Sequence, residues 1–75
     1  MSGDLKQQYR KLGLNIAFYR KARGLTQEQL AEQVDISRTH MSRIETADCA
    51  VSLDVVFRIA DTLKIDVYKL FQDKE

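Results

Sequence analysis

The feature that most constrains this chain is the stretch 25–46, LTQEQLAEQVDISRTHMSRIET. Thr26 stands just before an apolar-periodic run, and Gln29 follows three residues later. That spacing lets the Thr hydroxyl accept one orphan backbone N–H while the Gln side chain accepts the N–H of Thr26, a capping box. Leu30, Ala31 and Val34 then fall on one face of a short helix. The pattern breaks at Asp35-Ile36. Asp is one of the few residues besides Gly that tolerates left-handed backbone, so Asp35 is expected at positive φ, at a cost of about 1 kcal/mol relative to Gly. Ser37 is a second N-cap, and Ile36, Met41 and Ile44 give the helix it starts an inward face. Two helices this short are unstable alone. They must cross closely, where Ala31 leaves little bulk, and bury their stripes against the rest of the chain.

The opposite face of the second helix carries Arg38, Thr39, His40, Ser42 and Arg43. Every one of these side chains donates hydrogen bonds, two are guanidinium forks, and no acid stands among them. Such a face suits base edges and phosphates in a DNA major groove.

Gln27, Leu30, Ala31, Val34, Ile36, Ser37, Met41, Ile44 and Glu45 together resemble the helix-turn-helix of the Cro and phage-repressor (XRE-like) family of bacterial regulators. The similarity covers about residues 12–71. It departs in two places. Asp35 stands where the family usually has Gly, and 46–50, TADCA, replaces the Gly, basic residues and Pro that often follow the recognition helix. The resemblance implies an all-α fold, a compact five-helix, lambda-repressor-like DNA-binding domain. It implies Arg38, Thr39 and Arg43 as base readers, each Arg gripping guanine O6 and N7 and Thr39 offering its methyl or hydroxyl. Gln27, Ser37, His40 and Ser42 are then phosphate contacts, and the family also uses a Gln at position 27 to brace the recognition helix. A partly buried ion pair of Arg20 with Glu45 is implied, tying the first helix to the back of the recognition helix. A twofold homodimer through the fourth and fifth helices is implied too, with Val55, Phe57, Tyr68 and Phe71 as interface candidates. Two recognition helices about 34 Å apart would read an inverted repeat. The implied function is a sequence-specific, double-stranded-DNA-binding transcriptional regulator, foremost a repressor. The alternative is an antitoxin-like or adaptor protein acting through protein contacts, and a regulatory protein partner is compatible with both.

The rest of the chain supplies the support. A first helix begins near Asp4, with Gln7 as capping-box partner, and runs to Ala22 or Arg23. Its stripe is Leu5, Tyr9, Leu12, Ile16 and Tyr19. Gly13 weakens it by about 1 kcal/mol against Ala and marks either a bend or a divide between an N-terminal extension and the domain proper. Arg20, Lys21 and Arg23 favour the negative end of the helix dipole, and Gly24 is a left-handed stop. Ser52 caps a fourth helix with an inward stripe of Leu53, Val56, Ile59, Ala60 and Leu63. Asp66 caps a short fifth helix containing Val67, Leu70 and Phe71. The division read from this is an extension over 1–11, the domain over 12–71 and a fraying tail over 72–75.

Seventy-five residues with no Pro and three Gly make one small helical domain. A net charge of +1 points weakly to polyanions, but its distribution is informative. Through Glu45 there are eight Lys/Arg against five Asp/Glu; after it there are four against six. One Cys forms no internal disulfide and suits a reducing, cytoplasmic setting. One His and one Cys nine residues apart make no metal site, and no nucleophile–base spacing or Gly-rich phosphate loop is present. Catalysis, cofactors and small-molecule ligands are therefore not expected. No apolar run reaches membrane-span length, and residues 1–10 lack a signal-peptide core.

Overall fold

The computed structural model describes residues 3–73, with side chains from Leu5 onward. Helix α1 spans Gly3–Ala22, α2 Gln27–Gln33, α3 Arg38–Glu45 and α4 Leu53–Leu63, and a 3-10 turn spans Val67–Phe71. The capping box expected of Asp4 rests on a side chain outside those described. Lys74 and Glu75 of the expected fraying tail lie outside the described residues.

Hydroxyl caps start α2, α3 and α4. Thr26 Oγ1 accepts from Gln29 N–H (3.0 Å) and Gln29 Oε1 accepts from Thr26 N–H (2.9 Å), closing the capping box. Ser37 Oγ accepts from His40 N–H, and Ser52 Oγ from Val55 N–H. All four helices end the same way. Gly24, Asp35, Ala47 and Lys64 each take left-handed backbone, at φ of 73°, 63°, 61° and 58°. In each case the next residue's N–H returns to a carbonyl five residues back: Leu25 to Arg20, Ile36 to Ala31, Asp48 to Arg43, Ile65 to Ala60. This is the Schellman closure, here built mostly without Gly.

The core is one cluster: Leu12 and Ile16 from α1, Leu30, Ala31 and Val34 around α2, Met41 and Ile44 from α3, five residues of α4, and Leu70. Three sequence expectations are corrected. The fifth helix is a 3-10 turn: Lys69 N–H bonds Asp66 O (3.0 Å), and the Asp66 side chain makes no cap bond. Five residues cannot repay helix nucleation, and the tighter i→i+3 turn suffices. Leu53, counted inward, is 61% exposed, and Val55 takes the core position. Leu53 is the first residue of α4, so it stands at the end of the packed stripe, at the rim of a surface groove. Gly13 marks no bend, since α1 is continuous through it; a Cβ there would stand 2.5 Å from the Glu45 carbonyl oxygen. Its lack of a side chain lets α1 lie directly on the C-terminal end of α3.

Candidate nucleic-acid interface

Helix α3 is gripped at its C-terminal end. Arg20 Nε donates to Glu45 Oε2 at 2.7 Å and Arg20 Nη2 to Oε1 at 3.1 Å, a two-pronged pair with side chains only 10% and 5% exposed. The third arm, Nη1, donates to Leu25 O at 2.7 Å. Gln27 Nε2 completes the set with a bond to Glu45 Oε1 at 3.0 Å. The buried carboxylate thus accepts three hydrogen bonds, and the guanidinium reaches both α3 and the α1–α2 turn. Burial of both charges is tolerated because every guanidinium nitrogen and both carboxylate oxygens have a hydrogen-bond partner.

Held this way, α3 buries Met41 (0%) and Ile44 (2%) and leaves the rest of its surface outward. Ser37, Arg38, Thr39 and Arg43 are exposed, and His40 and Ser42 are half-buried. Ser37 Oγ accepts from the His40 backbone N–H, which leaves its own O–H to donate to an external acceptor. Gln27 is half-buried, and Glu45 holds one of its two amide hydrogens, leaving the other for an external acceptor. Ser37, the five outward polar residues of α3 and Gln27 together make seven donor-bearing positions, with no acid among them.

The loop after α3 differs in character. Thr46 Oγ1 donates to Ser42 O (2.9 Å) and lies 3.1 Å from Asp48 Oδ2, while the Asp48 backbone N–H donates to Arg43 O (2.8 Å), so the Thr hydroxyl and the Asp48 N–H close the C-terminus of α3. Cys49 is a half-buried free thiol packed on the core. Of the four interface candidates, Phe57 (51%), Tyr68 (54%) and Phe71 (50%) are exposed, whereas Val55 (9%) is packed into the core. Phe71 lines an apolar groove of about 240 Å³ with Leu5, Tyr9, Val51 and Leu53.

Sequence reasoning missed three polar ties. Asn15, 1% exposed, donates from Nδ2 to Leu70 O (2.9 Å) and Gln72 O (2.7 Å), fastening α1 to the 3-10 turn. Arg23 Nε donates to Leu63 O (2.7 Å), and Arg58 Nη1 to Val34 O (3.2 Å), capping the ends of α4 and α2. The available signal was a single Asn on the inward stripe of α1 between Leu12 and Ile16; nothing local names its partners. Among the described residues no group of three His, Cys, Asp or Glu side chains could hold a metal, and no helix is long and apolar enough to cross a membrane.

A helix-turn-helix family profile matches residues 16–70. No curated protein matches the sequence. Among solved structures, the restriction-modification controller protein C.AhdI from Aeromonas hydrophila is similar at 31% identity and a TM-score of 0.83, over 87% of this chain and 98% of that one. The N-terminal DNA-binding domain of SinR from Bacillus subtilis is 25% identical, with a TM-score of 0.79 over 88% and 97%. PlcR from Bacillus thuringiensis, solved with the peptide PapR7 and DNA, is 37% identical with a TM-score of 0.75 over 83% of this chain, which spans only 22% of PlcR.

Proposed function

The chain belongs to the Cro-like helix-turn-helix family of sequence-specific DNA-binding transcriptional regulators, and on that premise we propose that it is a repressor reading an inverted repeat as a homodimer. It is a binding protein and not an enzyme. The observation that carries the reading is the outward face of α3: Arg38, Thr39 and Arg43 exposed on a helix whose C-terminal end is pinned by Arg20 and Gln27 through Glu45. A reading helix must hold its register to a fraction of an ångström, and buried charge-assisted bonds supply that stiffness. In this proposal Arg38, Thr39 and Arg43 touch base edges. Gln27, Ser37, His40 and Ser42 bind phosphate through the donors left to them. The acidic loop 46–50 adds no cation, so affinity rests on α2 and α3 and on having two copies.

The exposed Phe57, Tyr68 and Phe71, with the neighbouring apolar groove, support the dimer reading. The division into an extension over 1–11, a domain over 12–71 and a tail belongs to the same proposal, as does a cytoplasmic setting beside the genome. Selection of bound sequences from a random duplex pool near physiological salt tests it. An enriched inverted repeat is expected. A single short site would refute the dimer, and no enrichment by folded protein would replace base reading with an adaptor role.

A further inference from the structure

From Leu5 through Gln27 the sequence contains six Lys or Arg and no acid. Three of these bases have structural work: Arg20 holds Glu45, Arg23 caps α4, and Lys11 pairs with Asp73 at 2.6 Å. On the side of α1 away from the buried Ile16, the stripe Arg10, Leu14, Phe18, Lys21 recurs at spacings of four, four and three, one line along a helix. Arg10 and Lys21 are exposed, and Leu14 and Phe18 are 62% and 52% exposed. A shallow groove of about 450 Å³, lined by Gln7, Arg10, Lys11, Leu14, Asn15 and Asp73, runs beside it; the Asp73 carboxylate is paired with Lys11, so among the described residues Arg10 is the unneutralised charge on its wall.

We infer that this face of α1 docks an acidic amphipathic helix of a partner protein, with two apolar residues one turn apart flanked by carboxylates. The charge pattern selects the occupant. Two cations bracketing the stripe call for anions at both ends, about 16 Å apart along the helix. The apolar pair between them finds no complement on a phosphate backbone, which is charged along its whole length. A helix laid in a groove presents anchors at i and i+4, matching Leu14 and Phe18. The inference stands independently of the DNA reading, because it uses none of the residues assigned to that face.

The test uses the full chain and a fluorescein-labelled peptide of about 15 residues built on Glu and Ala, with Leu and Phe four positions apart at its centre. Anisotropy titration is expected to show saturable binding, at least about tenfold tighter than to a scrambled peptide of the same composition. Phe18→Ala and the double change Arg10→Glu with Lys21→Glu are each expected to weaken it about tenfold or more. Helicity and duplex affinity of Phe18→Ala should remain those of the parent, which separates docking from folding and from DNA binding. Equal binding of the scrambled peptide, or no saturation, would overturn the inference. Loss of duplex or anionic-vesicle binding in the same variants would assign the face to those ligands instead. Self-association abolished by Phe18→Ala would assign it to a second copy.

Discussion

Replacing Gly13 by Ala should destabilise this protein, although the change improves intrinsic helix propensity by about 1 kcal/mol. The added Cβ would lie 2.5 Å from the Glu45 carbonyl oxygen, 2.6 Å from that of Ile44 and 2.9 Å from the Glu45 carbonyl carbon. All three are backbone atoms at the end of α3, so no side chain can swing aside. Ordinary contact distance requires α1 and α3 to separate by about 1 Å. Overpacking of this kind costs about 1–3 kcal/mol. The shift also stretches the Arg20–Glu45 pair, now at 2.7 Å, where loss of a buried partner costs about 3–5 kcal/mol when complete. Partial loss of that pair, plus the clash, minus the propensity gain, leaves a net loss of about 2–4 kcal/mol. For a domain this small, total stability is about 4–11 kcal/mol, and the change should lower Tm by about 10–30 °C. Urea and thermal unfolding followed by circular dichroism would measure it. A neutral or stabilising Gly13→Ala would refute the close approach and return Gly13 to an ordinary solvent-facing helix glycine.

Four further outcomes follow from particular contacts. Arg20→Ala leaves the 5%-exposed Glu45 carboxylate with only Gln27 and should cost about 3–5 kcal/mol in denaturant unfolding. Asn15→Asp turns a donor into a carboxylate oxygen facing the carbonyls of Leu70 and Gln72; a loss of at least about 2 kcal/mol is expected, with faster proteolysis of the C-terminal turn. Lys64→Gly, at an exposed left-handed position whose backbone carbonyl still serves Arg23, should raise stability by about 1 kcal/mol in the same assay. Arg43→Ala should cost about 1–3 kcal/mol on the selected duplex and relax preference at one base pair; an equal loss on every duplex would mean that Arg43 only holds phosphate.

The relation of sequence to structure divides along distance. Helix starts were legible because a cap is a contract between residues three apart: Thr26 with Gln29, Ser37 with His40, Ser52 with Val55. Asp35 was legible as a left-handed stop because Asp tolerates that conformation and stands in the short gap between two inward stripes. Ala47 and Lys64 do the same with residues that carry no such preference, and only the surrounding packing holds them there. The outward face of α3 could be read from periodicity alone, since Met41 and Ile44 determine which side is buried.

What lay beyond reach was every choice made between elements. Propensity presents Gly13 as a weakness in a helix; the approach of α3, more than 30 positions along the chain, makes it a requirement. Asn15 reads as one polar residue on a stripe until Leu70 and Gln72 arrive to accept its hydrogens. Arg23 and Arg58 read as surface charge, yet each closes the open carbonyl end of another helix. Periodicity and caps are local, and they determine which segments are helical and which faces they bury. Buried polar atoms must find partners wherever the packed chain brings them, so their assignments, and the spacing between helices, were decided by the tertiary structure alone.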